Sequence, residues 1–239
     1  MSSGPPSNQT LGPVLALVAF TAPQDLPARL GNLIGVPYVE DGVQDERGRW
    51  STFACPGEFR NQPGLNCSGF LVAAVRRLLD FRGSSAEAAR DRLGDSGPAA
   101  PQGRDWDFGW DLVLNLSEGR SRRWLLPDGA KAVVADDAGD QNGFSVHDSA
   151  AWQGIRDGMR ADRIYLATFL RRQPGQTVPR HHHVALLLKD STQTVWLYQA
   201  LPRGRVHRLP LSRPEGFRRL CRMFGPGERI RILEVALPD

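Results

Sequence analysis

Apolar residues recur at helical spacing in the first third of this chain and at strand spacing in the last third. Over 25–33, Leu26, Leu30, Leu33 and Ile34 share one face, so a short helix is expected with Asp25 as its N-cap. Gly35-Val36-Pro37-Tyr38 ends it, and 40–66, rich in charge, Gly and Pro, reads as an ordered loop. The next helix is expected over 67–80. Phe70, Leu71, Ala74, Val75 and Leu78 turn to the core, and Arg76, Arg77 and Asp80 to solvent. Ser84-Ser85 opens another helix, rich in Ala and Arg, through Leu93.

Residues 94–104 read as a connector, and 105–160 follow neither period clearly. That stretch sets Trp106, Phe108, Trp110, Trp124 and Trp152 among many Asp and Gly residues. Such aromatics either line a carbohydrate- or peptide-binding cleft or form the packed core of an insertion; packing is the commoner use of tryptophan. The β pattern begins at Asp162. Strands are expected at 164–170, 184–188, 195–200 and 206–209, a helix at 214–224, and a closing strand at 229–235. Asp190-Ser191-Thr192 supplies one turn. Helices first and an antiparallel meander second indicate an α+β fold. The expected organisation is a tail and first apolar segment over 1–24, then one domain over 25–239 with an insertion at about 84–160.

Composition narrows the class. Hydrophobic residues make up 41 % of 239, enough for a sizeable core. The net charge of +4 is spread along the chain, and no basic helix is interleaved with aromatics, so nucleic acid is not an expected partner. No apolar run approaches a membrane span. Leu15-Ala16-Leu17-Val18-Ala19-Phe20 has no Lys or Arg before it, so it reads as a strand or helix of the domain rather than a secretion signal. Three cysteines make no disulfide framework. Cys55 and Cys67 are near enough to pair if the loop folds back, and Cys221 is expected to be buried in a helix.

Cys67 carries the candidate chemistry. It stands where a loop becomes a helix, and a helix N-terminus favours a thiolate. His183, which precedes Val184-Ala185-Leu186, is the matching base. The Cys67 N–H can face a developing oxyanion, Ser68 adds a group at the same turn, and Gly69 lets the helix approach the sheet. Strand alternation points His181 and His183 the same way with His182 opposite. This leaves open a zinc site made by two imidazoles with Cys67 or an Asp, and leaves His182 as a substitute base should the register slip.

The order Tyr38, then Cys67-Ser68-Gly69-Phe70 at a helix start, then His183-Val184-Ala185-Leu186 opening a strand resembles the NlpC-type cell-wall cysteine peptidases of the papain-like superfamily. The family's aspartate before the cysteine is Asn66 here, and its cysteine-to-histidine separation is shorter. The resemblance implies a papain-like fold with helices packed on an antiparallel sheet. Cys67 would be the nucleophile, His183 the base, and Gln199 the residue that orients the imidazole. Tyr38 and Ser68 would stand near the oxyanion or substrate. The implied partner is a stem peptide of peptidoglycan, no cofactor or metal is required, and the implied location is the cell envelope, periplasmic or secreted.

Two rival readings remain open at this point. One keeps the scaffold and changes the chemistry, to a delivered amidase toxin, a transglutaminase-like enzyme or an acyltransferase. The other is a non-catalytic module whose tryptophans hold glycan or peptide.

Overall fold

In the computed structural model the described residues are Met1, 26–100, 102–134, 143–176 and 178–238. The rest of the expected tail, the apolar run at 15–20 and Asp25 lie outside them. After a 3₁₀ turn at Ala28–Leu33 the chain forms the hairpin β1 (Gly42–Gln44) and β2 (Trp50–Thr52), then α1 (Cys67–Leu79) and α2 (Ser85–Ala88). There follow α3 (Phe108–Leu116), β3 (Arg122–Leu125), β4 (Lys131–Ala132), β5 (Phe144–Ser145) and α4 (Ser149–Gly158). The last third comprises β6 (Arg163–Arg171), β7 (Arg180–Lys189), β8 (Val195–Ala200), β9 (Val206–Pro210), α5 (Pro214–Met223) and β10 (Arg229–Ala236).

The main sheet runs β4-β3-β10-β6-β7-β8-β9, with β5 also paired to β10, and each pairing is antiparallel. Mixed helix and antiparallel sheet make this an α+β protein. Both faces of the sheet are covered. Phe70, Ala74 and Leu78 of α1 and Trp110 of α3 share one core with Val184, Leu186 and Leu188. Trp152 and Ile155 of α4 and Leu220 of α5 share the other with Ala185, Leu187 and Leu197. Burial on both sides explains why 184–188 is continuously apolar rather than alternating.

The stretch 84–160, expected as an insertion, contributes to the main sheet and to both cores. Its strand β3 sits beside β10 in the main sheet, and α3 and α4 cover opposite faces. Its tryptophans are packed: Trp110 stacks on Trp124 with centroids 4.6 Å apart, Arg231 lies 3.6 Å over the Trp110 ring, and Trp152 is fully buried. The pattern was hard to read because these elements are short and buried among acidic residues. Asp107 and Asp111 are themselves buried, and desolvation raises their pKa values to about 6 and about 7.

Several local expectations change. The short helix expected over 25–33 is a 3₁₀ turn at Ala28–Leu33, and it follows Pro27 without a side-chain cap. The helix opened at Ser84 has a capping box with Glu87 but ends at Ala88, leaving Leu93 exposed. Arg76 and Arg77 are half-buried: Arg76 donates to the carbonyls of Gln44 and Gly83, and Arg77 to that of Ala73, so loop and helix carbonyls bring both guanidinium groups in from solvent. The three cysteines are free, Cys55 exposed and Cys221 half-buried. No helix among the described residues is long and apolar enough to cross a membrane.

Candidate active site

Asn66 begins the site. Its side chain accepts the Gly69 N–H at 2.7 Å and caps α1, which an aspartate would do equally well. Cys67 is therefore the first residue of the helix, where a backbone N–H has no acceptor within the helix. Gly69 serves a different neighbour from the one expected. A Cβ there would stand 1.9 Å from the Gly42 carbonyl oxygen, so its missing side chain seats α1 against β1. The glycine that lets a helix approach β7 is Gly109 of α3, where a Cβ would meet the His181 carbonyl oxygen at 3.1 Å and Val184 at 3.2 Å.

The sheet delivers the partners. The Cys67 thiol and the His183 ring act on one another, each shifting the other's pKa, and His183 Nε2 lies 2.8 Å from Gln199 Oε1. That contact leaves Nδ1 for the thiol. Gln199 is fully buried on β8. Ser68 Oγ is 3.9 Å from the Cys67 sulfur, and half-buried Tyr38 lines the clefts on both sides of it. The five residues singled out from sequence thus converge.

The electrostatics favour an ionised pair. Burial opposes a thiolate at Cys67. The His183 charge and hydrogen bond, the Val184 N–H and Ser68 outweigh it and lower the pKa to about 7. Burial likewise opposes an imidazolium at His183, but Cys67, Gln199 and Glu228 together raise its pKa. Around Tyr38, desolvation, then Cys67 and Glu40, keep the phenol protonated by raising its pKa.

The three histidines separate. A β-bulge shifts the β6–β7 register so that Phe169 opposes His183 while Leu170 opposes His181. His183 packs against the stacked rings of Phe169 and Phe224 on the α5 face. His181 turns to the α3 face, 3.0 Å from Thr168 Oγ1 and against Trp110. Burial, then Arg231 and His182, lower its pKa to about 3. The expectation that His181 and His183 point the same way is overturned, because the extra residue breaks the alternation, and the zinc reading built on it falls too. His182, on the bulge, bonds Glu228 through Nε2 at 2.5 Å.

Cys67 stands between two openings. The larger, about 830 Å³, is lined by Phe53, Phe108, Arg104, Arg171 and Arg180 among others. The smaller, about 250 Å³, is lined by Leu201, Pro202, Met223 and Phe224. Tyr38, Cys67, Arg171 and His182 border both. Sequence reasoning did not find Glu228, Arg171 or His207. A clue to His207 lay in the expected β8–β9 hairpin, which sets it opposite Gln199.

Fold and site define an α+β protein with a histidine-paired thiol of lowered pKa at a helix N-terminus. In comparisons with known proteins, no family model matches the chain, and neither a curated protein nor a solved structure matches it.

Proposed function

We propose that this chain is a cysteine hydrolase of papain-like type, a peptidase or amidase that cleaves an amide bond of peptidoglycan stem peptides in the cell envelope. The observation that carries the reading is the line Cys67–His183–Gln199, whose sulfur lies at the junction of two clefts. The thiolate attacks the amide carbonyl carbon and forms the C–S bond. Charge gathers on the carbonyl oxygen, near the Cys67 N–H and the Tyr38 hydroxyl. His183 gives its proton to the departing amine as the C–N bond breaks. A water then loses a proton to His183 and attacks the thioester, which releases the acid and restores the thiol.

Arg171 and Arg180 of the larger cleft, whose lining also holds Glu40, Asp41 and Asp105, suit a carboxylate of an acidic stem peptide, and Leu201, Pro202, Met223 and Phe224 of the smaller cleft suit a methyl-bearing residue. A glycan-binding module is less well supported, because Trp106, Trp110, Trp124 and Trp152 are buried. The test is digestion of purified peptidoglycan, with mass analysis of the fragments. Wild type should release peptides cut at one bond and Cys67→Ala none. Equal release by both would overturn the mechanism.

A further inference from the structure

Gln199 has two chemically different ends, and which end faces His183 decides whether the imidazole can take a proton from Cys67. The groups at its far end settle the matter. Gln199 Nε2 lies 3.5 Å from His207 Nε2 and 3.8 Å from Met223 Sδ. On its other side, His207 Nδ1 lies 3.1 Å from the Arg205 carbonyl oxygen. A carbonyl only accepts, so Nδ1 carries the hydrogen, and a neutral His207 then presents a bare Nε2. A thioether sulfur also only accepts. Two acceptors therefore face one end of Gln199, and that end must be its NH₂.

The consequence passes back along the line. With its NH₂ towards His207 and Met223, Gln199 turns its oxygen to His183 Nε2. His183 must then carry hydrogen on Nε2, which leaves a lone pair on Nδ1 beside the thiol. The opposite orientation of Gln199 needs hydrogen on both nitrogens of His207, hence a cation. Half-buried His207 faces Arg219 of α5 and, across Gln199, His183, while the Arg205 carbonyl is its one countervailing partner; burial leads in disfavouring that cation.

We infer that His207 is a positioning residue: through the amide of Gln199 it holds His183 in the tautomer that accepts the Cys67 proton. The backbone carbonyl of Arg205 is the fixed end of this line. The inference rests on the hydrolase reading for its catalytic meaning, but the tautomer is measurable without substrate.

Long-range ¹⁵N–¹H spectra of the whole protein report which nitrogen of His183 carries hydrogen. Cys67→Ala protein is used for this, so that no thiolate charges the ring. The expected form is Nε2–H. A predominant Nδ1–H form would overturn the inference without any further variant. Adding His207→Phe, which has no acceptor, to the Cys67→Ala protein should give a mixture of tautomers, and in protein that keeps Cys67 the same substitution should slow iodoacetamide alkylation about tenfold. His207→Gln, which can offer an amide oxygen, should restore most of both. Unchanged tautomer and alkylation rate in His207→Phe, with the thermal midpoint retained, would also overturn it. If peptidoglycan is not cut by wild type while these shifts appear, the substrate reading fails and the positioning role stands.

Discussion

His182 Nε2 lies 2.5 Å from a carboxylate oxygen of Glu228, whose side chain is 1 % exposed, on the wall that borders the thiol. A carboxylate so deeply placed is not screened as a surface charge would be, and its field reaches His183. Glu228→Gln should weaken the His183 imidazolium and with it the thiolate. Alkylation of Cys67 at pH 6 should slow several-fold and its pH profile should move upward. An unmoved profile, with the fold intact by circular dichroism, would mean that the Glu228 charge is not felt at the sulfur.

The thiol itself should titrate early. Cys67 and His183 ionise as a pair, and the thiolate should be half-formed near pH 7, well below an ordinary thiol at about 8.5. Cys221 is an internal control, because burial raises its pKa. Rates of alkylation at each cysteine, followed by peptide mass mapping, separate the two. A Cys67 midpoint no lower than that of Cys221 would count against the nucleophile.

Gly69→Ala should disturb the site without touching the Cys67 thiol or the His183 ring. The new methyl would meet the Gly42 carbonyl oxygen at 1.9 Å, which is backbone and cannot swing away. Displacing β1 from the start of α1 should cost about 1–3 kcal/mol in urea unfolding. Alkylation of Cys67 should slow in the folded variant. A stability equal to wild type would show that the contact relaxes freely.

Asp111→Asn should stabilise the protein at alkaline pH. Burial raises the folded-state pKa of Asp111 from 3.8 to about 7, so the folded chain keeps a proton that the unfolded chain releases between those values. Stability therefore falls as pH rises through that window. Asparagine never ionises and can still accept the Arg92 N–H that Asp111 accepts at 2.9 Å. A gain of about 2 kcal/mol is expected at pH 8 and little at pH 4. Equal effects at both pH values would contradict the raised pKa.

Much of this site is visible in the residues because its parts are local signals. Asn66-Cys67-Ser68-Gly69 reads as a capped helix start, and the apolar run after His183 reads as a buried strand. What could not be read depends on register and on distant packing. The faces of His181 and His183 follow from one bulge that no periodicity announces. Gly69 looks like a seat for the sheet until β1 is placed against it. The region 105–160 hides its strands because β3, β4 and β5 are two to four residues long, too short to show alternation.

The bulge also gives the histidine run a fixed length. Runs of one amino acid ordinarily tolerate gaining or losing a copy, since neighbours are interchangeable. Here the first histidine fills a buried niche beside Trp110, the second meets a carboxylate and the third meets the sulfur. Deleting any one removes the same histidine from the written sequence, yet it would merge two environments into one. What the run specifies is a count, and an indel there should be far less forgiving than a substitution.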